Sequence, residues 1–114
     1  MVWKVEFYED QRGLEPVSDF FDNLDEATLN KVFRVIDILV KNGPMTMMPY
    51  SKRINTKIFE LRTSGKKPIR LLYSMCNNKY ILLHVFVKKT NKLPQKDLLL
   101  AEKRLKLIDY LSQI

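Results

Sequence analysis

Apolar residues recur along this chain with two different periods. At residues 2–8 they alternate with polar ones, which is the period of a strand with one buried face. At residues 17–24 and 29–40 they fall at helical spacing instead, and Asp25 between these stretches can cap the second helix. Gly43 then ends that helix. The pattern predicts a strand followed by a helical hairpin with one apolar face.

Strand-forming residues dominate the next part of the chain. Three segments rich in β-branched and aromatic residues occupy positions 58–63, 69–76 and 80–87. Residues 44–56 show no regular period and are expected to be irregular, and Pro94 opens a final helix with one apolar stripe. The order predicts an α+β fold for residues 1–114 as a single domain. We expect an N-terminal strand, a helical hairpin, an antiparallel sheet of about four strands and a C-terminal helix.

Positive charge is gathered in the second half of the chain. The formal net charge is +7, but residues 1–50 carry five basic and nine acidic side chains, whereas residues 51–114 carry fifteen and four. Between positions 52 and 92 there are eleven basic side chains and one acid, Glu60. Charge of one sign concentrated in this way attracts polyanions or an acidic protein partner. The distribution favours a surface that binds RNA phosphate.

Composition excludes several kinds of site. One histidine and one cysteine are too few for a structural zinc site, and three glycines are too few for a phosphate-binding glycine loop. No carboxylate cluster indicates magnesium, so we expect no metal and no cofactor. Cys76 is predicted to be a buried, reduced thiol. There is no signal-peptide pattern and no apolar run long enough to span a bilayer, so a cytoplasmic location without membrane association is expected.

The residues that remain for chemistry are mostly cationic. Arg62 lies near the end of one predicted strand and Arg70 near the start of the next, so a hairpin brings both to the same end of the sheet. Lys88 and Lys89 end the third strand, and at most one of them shares the arginines' face, because side chains alternate along a strand. The flanking loops add three candidate RNA-binding residues, Lys52, Arg53 and Lys92.

A cluster of this kind can cleave RNA without a metal ion. The 2′-hydroxyl attacks the adjacent phosphate, arginine and lysine stabilise the charge that builds on the phosphate oxygens, and an acid and a base move the protons. Glu60, His84 or a lysine can serve as acid or base. Two of these residues have an alternative structural role. Glu60 can pair with Arg62 on the same strand face, and His84 lies among apolar residues that are typical of a buried position.

Several short motifs follow one another in a distinctive order. Glu-Leu-Arg occupies residues 60–62, Arg70 and Tyr73 form Arg-x-x-Tyr, Leu-His-x-Phe-x-Lys-Lys-Thr occupies residues 83–90, and Pro94 starts a helix. The ordered set resembles the RelE/ParE superfamily of type II toxins and, more narrowly, its phage-derived HigB-like branch. The resemblance implies a compact sheet with an N-terminal helical hairpin and ribosome-dependent cleavage of mRNA. It also implies a cognate antitoxin that is a small helix-turn-helix protein.

The resemblance also implies roles for individual residues. Arg70 matches the superfamily's phosphate-binding arginine, Arg62 the arginine of Glu-Leu-Arg, and Lys88 and Lys89 the basic pair, whereas RelE proteins carry lysine where this chain has Glu60. The leading prediction is an mRNA endoribonuclease (mRNA interferase) with the candidate catalytic residues Arg62, Arg70, Lys88, Lys89, Glu60 and His84. Two alternatives stay open. One is a non-nucleolytic ParE-like toxin that inhibits DNA gyrase, since one fold can host both activities. The other is a non-catalytic RNA-binding regulator.

Overall fold

The computed structural model describes residues 2–112. Its helices and strands follow the predicted order, with one additional strand. In chain order they are β1 (Lys4–Phe7), α1 (Pro16–Phe21), α2 (Glu26–Asn42), a 3₁₀ turn (Gly43–Met45), β2 (Ser51–Arg53), β3 (Phe59–Arg62), β4 (Ile69–Cys76), β5 (Lys79–Val87) and α3 (Gln95–Leu111). In this described part of the chain, no helix combines the length and apolar character needed to cross a membrane.

The strands form one mixed sheet in the order β1-β5-β4-β3-β2. Strands β2 to β5 pair antiparallel, whereas β1 runs parallel to β5, with Lys4 opposite Lys79. The predicted α+β fold class is confirmed, with five strands where about four were expected. The expectation that all strands pair antiparallel is wrong for β1, which runs parallel to β5. The fifth strand, β2, lies within residues 44–56, whose sequence predicts no regular structure. It forms because three residues pair with β3.

Tight turns hold the central strands in register. Asn77 and Asn78 join β4 to β5 with φ angles of 52° and 65°, the left-handed pair that a type I′ hairpin turn requires. Residues 63–68 join β3 to β4. In this turn Thr63 N–H donates to Ile69 O at 3.0 Å, and Ile69 N–H donates to Thr63 Oγ1 at 2.9 Å. These two bonds fix the relative position of the strand ends on either side of the turn.

Helices cover both faces of the sheet. On one face α2 packs Val32 and Leu39 into a core that contains Leu71, and on the other face α3 packs Ala101 into a core that contains Leu72. All five side chains are fully buried, and burying each valine or leucine among them contributes about 1.5–3 kcal/mol. Leu71 and Leu72 are neighbours that point to opposite faces, as strand geometry requires. The two cores therefore fix both helical layers against the sheet.

A β-bulge changes which residues of β5 face α3. Leu72 pairs with His84, whereas Tyr73 pairs with Leu82, so Leu83 has no direct partner on β4. Leu83 is nevertheless fully buried in the core under α3, and His84 forms a hydrogen bond with the same helix. The bulge thus allows two successive residues of β5 to contact α3.

Candidate nucleic-acid interface

Two arginines lie side by side at one end of the sheet. Arg62 ends β3, Arg70 is the second residue of β4, and the two are direct partners in the antiparallel register. Directly opposite residues share a face of the sheet. Leu72, two residues after Arg70, belongs to the core under α3. Side chains two apart on a strand share a face, so both arginine side chains leave the sheet on the face that α3 covers. The prediction that a hairpin brings the two arginines to the same end is confirmed.

Arg70 is held in place by the backbone around it. The residue is 7% exposed, and its Nη1 donates to Thr63 O at 2.8 Å and to Ile69 O at 3.0 Å. Burial lowers the pKa of the Arg70 guanidinium, the charge of Arg62 lowers it further, and Glu60 opposes both. The group stays protonated, because arginine is not deprotonated in proteins. Within residues 2–112, the hydrogen bonds of the guanidinium to the backbone come from Nη1, and its Nε lies 3.8 Å from Glu60 Oε1.

Glu60 holds the two positive charges together. Its Oε1 lies 3.2 Å from Arg62 Nε and 3.8 Å from Arg70 Nε, and the residue is 5% exposed. Like charges opposite each other repel, so the carboxylate offsets part of that repulsion. The Arg62 contact is close enough for an ion pair but poorly aligned for a hydrogen bond, and among the described residues the buried Arg62 Nε has no hydrogen-bond partner. The predicted pairing of Glu60 with Arg62 is confirmed, and Arg70 shares the carboxylate.

The two consecutive lysines that follow β5 differ in their surroundings. Lys88 N–H donates to Pro68 O at 2.9 Å, which continues the strand pairing one residue beyond β5. Lys88 is half-buried and lines the same cavities as Arg62 and Arg70. Lys89 is exposed and lines neither of these cavities. As alternation predicts, only the first lysine joins the arginines.

The arginines and Lys88 lie between two open cavities, which together we call the basic cleft. The larger cavity, of about 440 Å³, is bounded by α2, the segment before β2 and the turn at residues 63–68. The smaller one, of about 40 Å³, lies beside the loop that leads to α3. Arg62, Arg70 and Lys88 line both, and we call them the cationic centre. We call the larger cavity the helix lobe and the smaller cavity the loop lobe. Besides the cationic centre, the helix lobe is lined by Lys31, Arg34, Val35, Ile38, Met48, Pro49, Tyr50, Thr63 and Ser64. The loop lobe is lined by Lys52, Ile54, Glu60, Phe86, Thr90, Asn91, Lys92 and Leu93.

Seven basic side chains and one acidic side chain line the basic cleft. Two of the basic ones, Lys31 and Arg34 of α2, were missed by the sequence analysis because the first half of the chain is acidic overall. The sequence does contain a signal for these two residues. Lys31, Arg34 and Ile38 are spaced by three and four residues, which places them along one side of a helix, next to the buried Val35. Lys31 Nζ donates to Ser64 O at 3.2 Å, which ties α2 to the turn at the sheet end.

The candidate RNA-binding residues of the loops divide between two places. Lys52 lies opposite Glu60 in the β2–β3 register and lines the loop lobe together with Lys92. Arg53 follows Lys52 on β2 and therefore points to the other face of the sheet. Its guanidinium carbon lies 5.9 Å from the centre of the Phe59 ring. The fold brings Lys52 and Lys92 to the cleft and keeps Arg53 outside it.

His84 lies outside the basic cleft and is bonded to the final helix. Its Nε2 is 2.6 Å from Asp97 Oδ1, and its ring stacks on Phe86 with 5.8 Å between the ring centroids. Burial lowers the pKa of His84, the hydrogen bond and charge of Asp97 oppose this, and Arg104 adds to the lowering. The neutral ring therefore donates its Nε2–H to Asp97, a contact that the sequence analysis missed. This position favours the structural alternative for His84, and its catalytic role stays a prediction.

The fold and the cleft define a class of protein: a small α+β domain whose sheet ends in arginine and lysine side chains suited to phosphate. Residues 19–106 match the family described as Phage derived protein Gp49-like (DUF891), and this range contains every residue that lines the basic cleft. The chain therefore belongs to the Gp49-like family, which itself belongs broadly to the RelE/HigB-like toxins. Membership of a toxin–antitoxin family indicates a cognate antitoxin as partner. No curated protein was found to match the chain.

Proposed function

We propose that this protein is the toxin of a type II toxin–antitoxin system of the HigB-like branch, and that it cleaves mRNA on the ribosome. The observation that carries the proposal is the cationic centre, where Arg62, Arg70 and Lys88 line both lobes of one cleft. Family membership supports the toxin, and the ordered motifs at residues 60–62 and 83–90 support the branch. The proposed partners are mRNA on the ribosome and a helix-turn-helix antitoxin.

The charge balance of the cleft favours RNA as its ligand. Seven basic side chains face one acid, and an RNA strand carries one negative charge per nucleotide. The planar guanidinium groups of Arg62 and Arg70 suit phosphate oxygens, and Lys88 adds a point charge. A ParE-like inhibitor acts by binding gyrase and does not need phosphate-binding groups gathered at one point. The cleft therefore favours the nuclease over this alternative.

The proposed reaction is an attack by a ribose 2′-hydroxyl on the adjacent phosphorus. A bond forms between the 2′-oxygen and phosphorus, and the bond from phosphorus to the 5′-oxygen of the next nucleotide breaks. The products carry a 2′,3′-cyclic phosphate and a 5′-hydroxyl. Glu60 accepts the proton of the 2′-hydroxyl, and Lys88 donates a proton to the leaving 5′-oxygen. Arg62 and Arg70 stabilise the charge on the non-bridging oxygens.

Glu60 suits the role of base because it is the one carboxylate among the described residues that line the cleft. In the free protein its Oε1 lies within 4 Å of both arginine Nε atoms. A phosphate that binds Arg62 and Arg70 competes with the carboxylate for the same guanidinium groups. Substrate binding therefore weakens the ion pairs of Glu60 with the two arginines, which leaves the carboxylate free to accept the proton of the 2′-hydroxyl.

Cleavage of a defined mRNA on purified translating ribosomes tests this proposal. Lys88→Ala is expected to slow cleavage by about 100-fold or more, since this is the usual contribution of a positioned general acid. Lys89→Ala is the matched control and should cleave at the wild-type rate, because Lys89 is exposed and lines neither lobe. The new 5′ ends should accept phosphate from polynucleotide kinase directly. Equal rates for Lys88→Ala and the wild type, or new ends that already carry a 5′-phosphate, would contradict the mechanism.

A further inference from the structure

The helix lobe of the basic cleft combines apolar surface with basic side chains. It is lined by Val35 and Ile38 of α2 and by Met48, Pro49 and Tyr50 of the segment before β2. Met48 is 56% exposed and Tyr50 is 45% exposed, although both are large apolar residues. Exposed apolar residues grouped in a concave site are typical of ligand-binding surfaces.

Tyr50 is held by backbone bonds on both of its sides. Its N–H donates to Met47 O at 3.0 Å, and its carbonyl oxygen accepts from Arg62 N–H at 2.9 Å. The second bond links Tyr50 to the last residue of β3, which is itself part of the cationic centre. The backbone that carries the aromatic ring is therefore anchored beside the phosphate-binding groups before any ligand arrives.

The apolar wall and the cationic centre are in direct contact. Arg62 Nη1 lies 3.5 Å from Met48 Sδ, and Arg62, Arg70 and Lys88 line the same cavity as Tyr50. No acidic side chain lines the helix lobe in the described part of the chain. The ligand that fits such a lobe joins a flat apolar group to an anionic group, and an unpaired nucleotide has both, in its base and its phosphate.

We propose that the helix lobe holds one unpaired RNA base against Tyr50 while the phosphate of the same nucleotide lies on the cationic centre. This deepens the proposed function, on which it rests for the identity of the strand as RNA. The loop lobe, with Lys52 and Lys92, takes the neighbouring part of the strand. Stacking on an aromatic ring tolerates every base, so the lobe positions the strand for cleavage without reading a particular sequence.

Binding of a short oligonucleotide tests the base site independently of cleavage. The probe is a fluorescein-labelled oligoadenylate with 2′-fluoro riboses, which lacks the attacking hydroxyl, and its affinity is measured by fluorescence anisotropy. Tyr50→Ala is expected to raise the Kd by about fivefold or more, the usual loss for one stacked base. Tyr50→Phe should stay within about twofold of the wild type, because it keeps the ring. Tyr110→Ala, a control at an exposed tyrosine on α3 outside the cleft, should do the same.

An abasic backbone of the same length separates base stacking from other effects of Tyr50. The wild type should bind it about as weakly as Tyr50→Ala binds the oligoadenylate, and Tyr50→Ala should cause no further loss. Two results would overturn the proposal: unchanged affinity of Tyr50→Ala for oligoadenylate, or a loss of affinity on Tyr50→Ala substitution that is equally large for the abasic strand. Either result would favour a protein partner as the ligand of the helix lobe. If Tyr50→Ala behaves as expected but the wild type cuts no mRNA on ribosomes, the proposed nuclease fails while the base site stands.

Discussion

Arg70 stabilises the fold as well as offering a charge to phosphate, and the Arg70→Met variant measures the structural part. Methionine keeps a long apolar stem in the buried position but removes the guanidinium. The variant loses the bonds from Nη1 to Thr63 O and Ile69 O, at 2.8 and 3.0 Å. It also leaves the buried Glu60 carboxylate with Arg62 as its remaining ion-pair partner among the described residues.

The size of this effect follows from the contacts that are lost. A hydrogen bond that involves a charged group contributes about 1.5–3 kcal/mol. The two bonds share one donor nitrogen and are not independent, so Arg70→Met should lower the free energy of unfolding by about 3 kcal/mol rather than by their full sum. With a urea m-value of about 2 kcal/mol/M, typical of small domains, the urea midpoint falls by about 1.5 M.

Urea unfolding followed by circular dichroism measures this shift. Lys89→Met removes a charge from an exposed position outside the cleft, so its free energy of unfolding should stay within about 0.5 kcal/mol of the wild type. An Arg70→Met midpoint within about 0.3 M of the wild type would refute the view that Arg70 braces the turn at residues 63–68. If the prediction holds, lost toxicity in an Arg70 variant reflects folding as well as chemistry. Variants of Lys88 and Arg62 therefore carry the functional tests.

Two further predictions concern charge. For binding of the 2′-fluoro oligoadenylate, Lys88→Ala should reduce the slope of log Kd against log salt concentration by about 0.7, the value for one phosphate contact with a single strand. Lys89→Ala should leave the slope unchanged, and equal slopes for both variants would contradict the assignment of Lys88 to the cleft. The second prediction uses the lowered pKa of His84. Below the unfolded pKa of about 6.5 the unfolded chain binds more protons than the folded one, so wild-type stability should fall between about pH 7.5 and 5.5. His84→Gln should lose this dependence, and an identical pH profile in urea unfolding would show that the pKa of His84 is not lowered by folding.

The hairpin that forms the site could be predicted because its signals are local. The predicted strand at residues 69–76 has the bounds of β4, and the one at 80–87 begins one residue after β5 does. Pairing of the predicted strands 58–63 and 69–76 through a short turn was enough to bring Arg62 and Arg70 to the same end of the sheet. Alternation along the third strand was enough to separate Lys88 from Lys89. The direction of β1 carries no such local signal. A period of two shows that a strand has one buried face but does not show which neighbour it pairs with, so the parallel pairing with β5 required the structure.

Other features depend on contacts between distant segments. β2 consists of three polar residues, Ser51–Arg53, and becomes a strand because the edge of β3 offers it hydrogen-bond partners. Lys31 and Arg34 were hidden when charge was averaged over the acidic first half of the chain, although a helix places residues three apart on the same side. The partner of His84 lies on α3, and a bulge in β5 brings the ring to it. Pairing of this kind has no signature in the sequence around His84.

If the basic cleft cleaves mRNA, new mRNA 5′ ends should appear in cells after brief expression of the protein, and these ends can be mapped directly. The informative variant is Arg62→Ala, and Arg53→Ala is its matched control, because Arg53 lies on the adjacent strand but outside the cleft. Discrete new 5′ ends inside translated regions are expected with the wild type and with Arg53→Ala, and they should be lost with Arg62→Ala. Arrested growth with intact mRNA, or the same ends with Arg62→Ala, would contradict cleavage of mRNA by the basic cleft.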